Sequence, residues 1–182
     1  QRQMCIRDSA EYMQNSGKIT ACDMYEHKLK LIEKGAKRLG IDIVETCLRD
    51  GSSDENPLPM ADRILCDVPC SGLGVLSRKP EIRYKDDLID TDLADIQYKI
   101  LCESAKYLKK GGKLVYSTCT LNPQENNKNT AKFLAEHNDF EGVELELPPE
   151  LKRAFDEKPY EITLMPHTFD GDGFYIAVLT RR

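Results

Sequence analysis

The sequence predicts an α/β fold, a mostly parallel sheet with helices on both of its faces. Three observations carry this expectation. From residue 17 onward, short β-rich runs alternate with stretches of helical periodicity, as strands joined by crossover helices do. The most pronounced break after a β-rich run is dense in proline and glycine. And 182 residues at 40% hydrophobic content suffice for one core, so a single compact domain is the default.

Lys18 to Asp23 (KITACD) reads as the first strand. Leu29, Ile32, Ala36 and Leu39 then recur at steps of three and four, which places them on one helix face, and Gly40 stands where a left-handed terminator belongs. Ile41 to Cys47 is expected as the second strand. Ala61 to Asp67 (ADRILCD) is the third, broken off by Val68-Pro69-Cys70-Ser71-Gly72-Leu73-Gly74. Leu93, Ile96, Ile100, Ser104 and Leu108 predict a long helix ending at Lys109-Lys110-Gly111-Gly112, where cations and glycine suit a helix exit. Lys113 to Ser117 follows as the fourth strand. Asn122-Pro123-Gln124-Glu125 combines an N-cap residue, a proline for the first helical position and a glutamate placed for a capping box, so a helix should run to about His137. Val143 to Leu147 and Phe174 to Leu179 are the last two expected strands.

In open sheets of this kind a cofactor lies over the carboxyl ends of the strands, against a glycine-rich loop that follows a first strand. Here Ala10 to Asn15 reads as the tail of a helix leading into the Lys18 strand, and residues 1–9 (QRQMCIRDS) are polar and lack glycine. The first strand and glycine loop are therefore expected to be missing, with 1–9 an unrelated or artefactual segment and 10–182 a partial catalytic domain.

Charged residues make up 31%, no apolar run approaches the roughly 18 residues of a membrane-spanning helix, and no charged-then-apolar leader opens the chain. A soluble, cytoplasmic protein without membrane association is the expectation. Seven cysteines, an odd number without repeated spacing, speak against a secreted disulfide framework and for reduced thiols. With 26 basic against 31 acidic residues the net charge is −5, a poor footprint for a domain that grips nucleic acid unaided.

Two cysteines carry the chemistry, each just beyond the carboxyl end of an expected strand, where this architecture puts its active site. Cys70 follows Asp67 and Cys119 follows Ser117, 49 residues apart, about one βαβ passage. Cys119 also precedes the Asn122-capped helix, whose terminal amides favour a thiolate modestly at that distance. Free cysteines are most often small buried hydrophobes, a reading that suits Cys22, Cys47, Cys66 and Cys102. It suits Cys70 and Cys119 poorly, because DVPCSGLG and STCTLNPQEN are polar and turn-forming. Cys66 and Cys70 are spaced like a metal half-site, but no second pair completes it and strand alternation turns Cys66 away, so no metal is expected.

Asp67 to Gly74, Arg78-Lys79-Pro80-Glu81-Ile82 and Ser117 to Asn126 resemble the paired-cysteine motifs of the Sun/Nop family of RNA cytosine-5 methyltransferases. The likeness runs from about Glu11 to Leu179, includes Leu164-Met165-Pro166-His167 and Asp172-Gly173-Phe174, and is greatest to the bacterial small-subunit rRNA members. It implies a Rossmann-like S-adenosylmethionine-dependent methyltransferase fold with an antiparallel C-terminal strand, S-adenosylmethionine as cofactor, and RNA as partner, rRNA ahead of tRNA. By resemblance, Cys119 adds to carbon 6 of a cytosine, carbon 5 takes the methyl group, a base removes the carbon-5 proton, and Cys70 assists release. Asp67 is implied to hold the cofactor and to hydrogen-bond the flipped cytosine. Asp23, closing the first strand, suits the two ribose hydroxyls of a nucleoside cofactor, and Asp50 resembles the family residue that meets the adenine end. The chain departs from the family pattern at the glycine loop, which would hold the methionine end.

Arg78, Lys79, Arg83 and Lys85 form the expected phosphate contact, with a solvated basic face as the plain alternative. His27, His137 and His167 fall at a helix start, a helix end and a loop, which gives them surface or capping roles. Three other readings stand beside the main one. A DNA cytosine methyltransferase would use Cys70 as nucleophile, which the cysteine in Ser-Thr-Cys opposes. A catalytically inactive module would keep the fold alone. A redox thiol protein would need Cys70 and Cys119 to form a disulfide.

Overall fold

The computed structural model describes residues 2–84, 91–151, 153, 157–168 and 171–182, and the chain divides into two compact units at Pro57 and Leu58. The first contains α1 (Arg2–Tyr12), β1 (Ile19–Asp23), α2 (Glu26–Arg38) and β2 (Val44–Leu48). β1 and β2 pair in parallel, with Ile19 opposite Val44 and Asp23 opposite Leu48. On α2 the spaced residues Leu29, Ile32 and Ala36 are buried, and the first two pack with Ala21, Ile6 and Val44. Leu39 is instead the exposed C-cap, because the helix stops at Arg38; Gly40 follows at φ 67°, the terminator conformation expected of it. α1 runs through the boundary drawn between residues 9 and 10 and buries Ala10. It ends where Gln14 and Asn15 take positive φ, and the Asn15 side chain then bridges to the α2–β2 turn, donating to Gly40 O at 3.2 Å and accepting from Asp42 N–H at 3.1 Å.

The second unit contains β3 (Ala61–Asp67), a 3-10 turn (Pro80–Tyr84), α3 (Thr91–Ala105), β4 (Leu108–Thr118), α4 (Asn127–Glu136), β5 (Phe140–Gly142), β6 (Glu161–Leu164) and β7 (Phe174–Arg181). The sheet order is β3-β4-β7-β5, with β6 also on β7. β3 and β4 are parallel, and β7 runs antiparallel to β4, as expected of a C-terminal strand. Leu114 and Tyr116 of β4 and Tyr175, Ala177 and Leu179 of β7 alternate into the core, where Leu101, Ala105 and Phe133 cover them.

Several expectations are corrected. The strands form two ladders, β1-β2 and β3-β4-β7-β5, and none joins β1 to β3 among the described residues. The helix expected to reach Leu108 stops at Ala105, and Leu108, fully buried opposite Ala61, already belongs to β4; Lys109 to Gly112 form an irregularity in that strand, not a helix exit. The buried face of α3 is Gln97, Leu101 and Ala105, whereas Ile96 is 41% exposed, because a polar residue holds the core position nearest the site. α4 starts at Asn127, five residues later than the Asn122 signal, and residues 123–126 form a turn. The strand expected over Val143–Leu147 lies at Phe140–Gly142, anchored by buried Phe140 edge-on to Phe133. β6 has no counterpart in the reading: it opens with Glu161, a buried carboxylate that accepts the Tyr175 hydroxyl at 2.6 Å. No described helix is long and apolar enough to cross a membrane.

Candidate active site at the ends of two parallel strands

The parallel register sets Asp67 opposite Ser117, so β3 and β4 end level, and Val68 N–H donates across to Ser117 O at 3.3 Å. The loops that leave them run side by side. Cys70 Sγ lies 3.2 Å from Cys119 Sγ, and Cys119 N–H donates to Cys70 Sγ at 3.3 Å. Gly74 N–H donates to Cys119 O at 3.0 Å, and Gly173 N–H, leading into β7, donates to Gly74 O at 2.7 Å. This approach requires glycine, since a Cβ on Gly74 would stand 2.1 Å from Gly173 O and 2.9 Å from Cys119 O.

The two thiols are inequivalent. Donation from the Cys70 thiol draws Cys119 down to about 7, assisted by the positive charge of Lys79 and opposed by burial and by the Asp67 carboxylate. Cys70 is pushed far above the ordinary thiol range, first by that same hydrogen bond and then by burial, and the amides of Cys119 and Gly72 offset this only in part. Cys119 is therefore the more readily ionised of the two sulfurs and Cys70 the one that keeps its proton. Cys66, inside β3, is pushed up to about 11 by burial, which makes it inert. Of the other three cysteines read as buried hydrophobes, Cys47 and Cys102 are half-buried and Cys22 is exposed, because it lies on the outward face of β1.

A buried polar cluster underlies the thiol pair. Glu125, 1% exposed, accepts from Ser71 N–H (2.9 Å), Ser71 Oγ (2.6 Å), Gln97 Nε2 (2.8 Å) and Asn122 Nδ2 (3.0 Å). Gln97 Nε2 also donates to Pro69 O at 2.8 Å, and the Tyr116 hydroxyl donates to Glu125 O at 2.6 Å. Asn122 does accept the Gln124 N–H in a turn, at 3.1 Å, but Glu125 faces the Cys70 loop instead of closing a capping box. Asn126 continues the cluster, accepting from Thr118 Oγ1 at 2.6 Å and donating to Thr120 O at 2.9 Å. The sequence reading missed Glu125, Gln97, Ser71 and Thr120 as site residues; the one available signal was Gln97, a polar residue in helical register with Leu101 and Ala105.

The remaining predicted residues divide between the units. Asp67 closes β3 and acts on Cys119 by its charge. Asp23 and Asp50 lie in the first unit, after the adjacent strands β1 and β2. Asp23 is 9% exposed, its Oδ1 accepts Tyr25 N–H at 3.0 Å, and Lys28 Nζ approaches to 3.8 Å. Arg49 N–H donates to Asp23 O at 3.1 Å, which brings the two loop starts together. Asp50 Oδ1 accepts both the N–H and the hydroxyl of Ser52, at 2.9 and 2.7 Å, and these bonds hold its carboxyl below the usual range. Arg78 pairs with Asp172 at 3.0 Å, while Lys79 and Arg83 are exposed; Lys85 lies outside the described residues. His137 caps α4 as expected, its Nδ1 2.9 Å from Phe133 O.

Residues 8–180 match the family described as 16S rRNA methyltransferase RsmB/F. The chain is 41% identical over 181 residues to the probable ribosomal RNA small subunit methyltransferase B of Bacillus subtilis, covering 95% of this chain and 40% of the relative. It is 32% identical over 177 residues to the ribosomal RNA small subunit methyltransferase F of Serratia proteamaculans, covering 94% and 37%. It thus spans about two fifths of the length of these curated relatives. Among solved structures, NSun6 from Pyrococcus horikoshii with SFG superposes at a TM-score of 0.84 and 30% identity over 96% of this chain and 44% of that one. A methyltransferase homologue from the same organism superposes at 0.76 and 28% identity, over 95% and 56%. The Rossmann-like methyltransferase fold expected from the motifs is thereby borne out, and with both cysteine loops inside the matched residues the chain belongs to the 16S rRNA methyltransferase RsmB/F family.

Proposed function

We propose that this chain carries the chemistry of an RNA cytosine-5 methyltransferase that modifies small-subunit rRNA in the cytoplasm. The observation that carries the reading is the thiol pair, two sulfurs 3.2 Å apart at the ends of parallel strands. Carbon 5 of cytosine is a weak nucleophile until something adds at carbon 6, and a thiolate adds well. Cys119 forms the carbon–sulfur bond, its electron pair passing into the ring and activating carbon 5. Once carbon 5 is methylated, a base takes its proton, the C–H electron pair re-forms the ring double bond, and the carbon–sulfur bond breaks with its pair returning to Cys119. Cys70 is placed to assist that release, and Asp67 to hydrogen-bond the ring of a flipped base. The exposed Lys79 and Arg83 suit phosphate contact, whereas the Arg78 charge is already engaged by Asp172.

S-adenosylmethionine, when bound, supplies the methyl group. The residues present fit its nucleoside half: Asp23 is a buried carboxylate at the carboxyl end of β1, suited to vicinal ribose hydroxyls, with Asp50 after the neighbouring strand for the adenine end. Losing a charge-assisted hydrogen bond costs about 1.5–3 kcal/mol, so Asp23→Asn should weaken S-adenosylmethionine binding by roughly tenfold to a hundredfold in calorimetric titration of the full-length protein. Unchanged affinity would remove Asp23 from the cofactor site. The function itself is tested by labelled methyl transfer to small-subunit rRNA and to tRNA transcripts, with digestion to nucleosides. Label anywhere but carbon 5 of a cytosine sinks the reading, and label in tRNA alone reassigns the substrate.

A further inference from the structure

Glu125 takes no part in the steps above, yet its carboxylate is built into both cysteine loops. Oε2 accepts Ser71 N–H and Gln97 Nε2, and Oε1 accepts Ser71 Oγ and Asn122 Nδ2. All four donors are neutral, and a carboxylate buried among neutral groups is a costly choice where a glutamine or methionine would fill the same volume. What the carboxylate alone provides is direction, because it only accepts hydrogen bonds. The Ser71 hydroxyl must point its hydrogen at Glu125, which leaves the Ser71 oxygen to accept from the Thr120 hydroxyl at 2.7 Å. Thr120 Oγ1 in turn accepts Asn122 N–H at 3.2 Å. Ser71 and Thr120 are the residues that immediately follow Cys70 and Cys119. A directed hydroxyl bridge therefore runs beside the thiol pair, one residue along on each loop.

We propose that Glu125 is a positioning residue for methyl transfer: by fixing the Thr120–Ser71 bridge between the two loops, it sets the approach of Cys70 Sγ to Cys119 Sγ. The inference rests on the reading of Cys119 as nucleophile. Glu125→Gln preserves size but turns an amide nitrogen toward one of the two donor pairs, and Ser71→Ala deletes the bridge while leaving the carboxylate.

The test is the pH dependence of Cys119 alkylation by iodoacetamide in the 182-residue chain, read by peptide mass spectrometry, with circular dichroism to report the fold. The wild-type midpoint is expected near 7. In Glu125→Gln it should move toward the ordinary thiol value near 8.5, which lowers the thiolate fraction at pH 7 on the order of tenfold. Ser71→Ala should move it in the same direction. A merely structural role lowers the melting temperature and leaves the midpoint in place, so an unmoved midpoint in folded Glu125→Gln overturns the proposal. If that variant does not fold, an unmoved midpoint in Ser71→Ala does so. Alkylation needs neither RNA nor cofactor, so a failed bridge and a failed methyltransferase assignment give different results: the first leaves methyl transfer intact with an unmoved midpoint, the second abolishes the assay while the midpoint still shifts.

Discussion

In the full-length protein Cys119→Ala should abolish methyl transfer, a loss of roughly 10⁴-fold or more of the kind that follows removal of a covalent nucleophile. Cys70→Ala should behave in a different way, leaving an RNA adduct on Cys119 that survives denaturing electrophoresis. The asymmetry follows from the hydrogen bond between the sulfurs. The Cys119 thiol is drawn down to about 7 while Cys70 is pushed up, so near neutral pH the negative charge resides on Cys119 and Cys70 keeps its proton. Removing Cys70 deprives the adduct of its release partner but leaves the attacking atom in place. The Cys119 thiolate is the species present above about pH 7, so adduct formation should rise with pH through that region. An adduct mapped to residue 70 in a Cys119→Ala background would reverse the two assignments.

Gly74→Ala should be the most damaging single-methyl change in the second unit. The new Cβ would meet the backbone carbonyl of Gly173 at 2.1 Å and that of Cys119 at 2.9 Å, and neither can rotate away as a flexible side chain could. Forced relaxation of such a contact costs about 3 kcal/mol, which for a chain of this size lowers Tm by roughly 6–12 °C. The same shift stretches the bonds from Gly74 N–H to Cys119 O and from Gly173 N–H to Gly74 O. Gly111→Ala is the control: its φ of 74° disfavours alanine, but nothing lies within 4 Å, so the cost should be only about 1 kcal/mol. Equal melting temperatures for the two variants would show that the Gly74–Gly173 approach accommodates a Cβ and would overturn the prediction.

The parts of the fold that were legible in the sequence are those governed by local rules. Ala61–Asp67 has the bounds expected of it, and the buried stripe of α2 falls on Leu29, Ile32 and Ala36, because alternation and helical spacing are periodicities of the chain itself. The meeting of the Cys70 and Cys119 loops was legible for a similar reason, since turn-forming residues after a strand mark where the carboxyl ends of an α/β sheet open. The failures share one cause. Gln97, Glu125 and Glu161 are polar residues that face the interior, and their burial is stabilised by partners far away in sequence, Pro69, Ser71 and Tyr175. A hydrophobic pattern assigns such residues to the surface, which put Ile96 in the core, turned Glu125 into a cap and hid β6. The division into two units was illegible for another reason: strand order is set by ladders between distant segments, and no short stretch of sequence records them.

β7 also bears on when the Cys119 loop is assembled. Cys119 leaves the ribosome immediately after β4, but its carbonyl is tied to Gly74, and Gly74 to Gly173, a residue that precedes β7. At about 5–20 residues per second, the 54 residues from Thr120 through Gly173 take roughly 3–11 s to synthesise. Through that interval β3 is available to β4 and β7 is not, so the Gly74–Cys119 bond can form before Gly173 exists to hold Gly74. The backbone frame around Cys119 is in this sense a late product of translation, completed by a residue that touches neither sulfur.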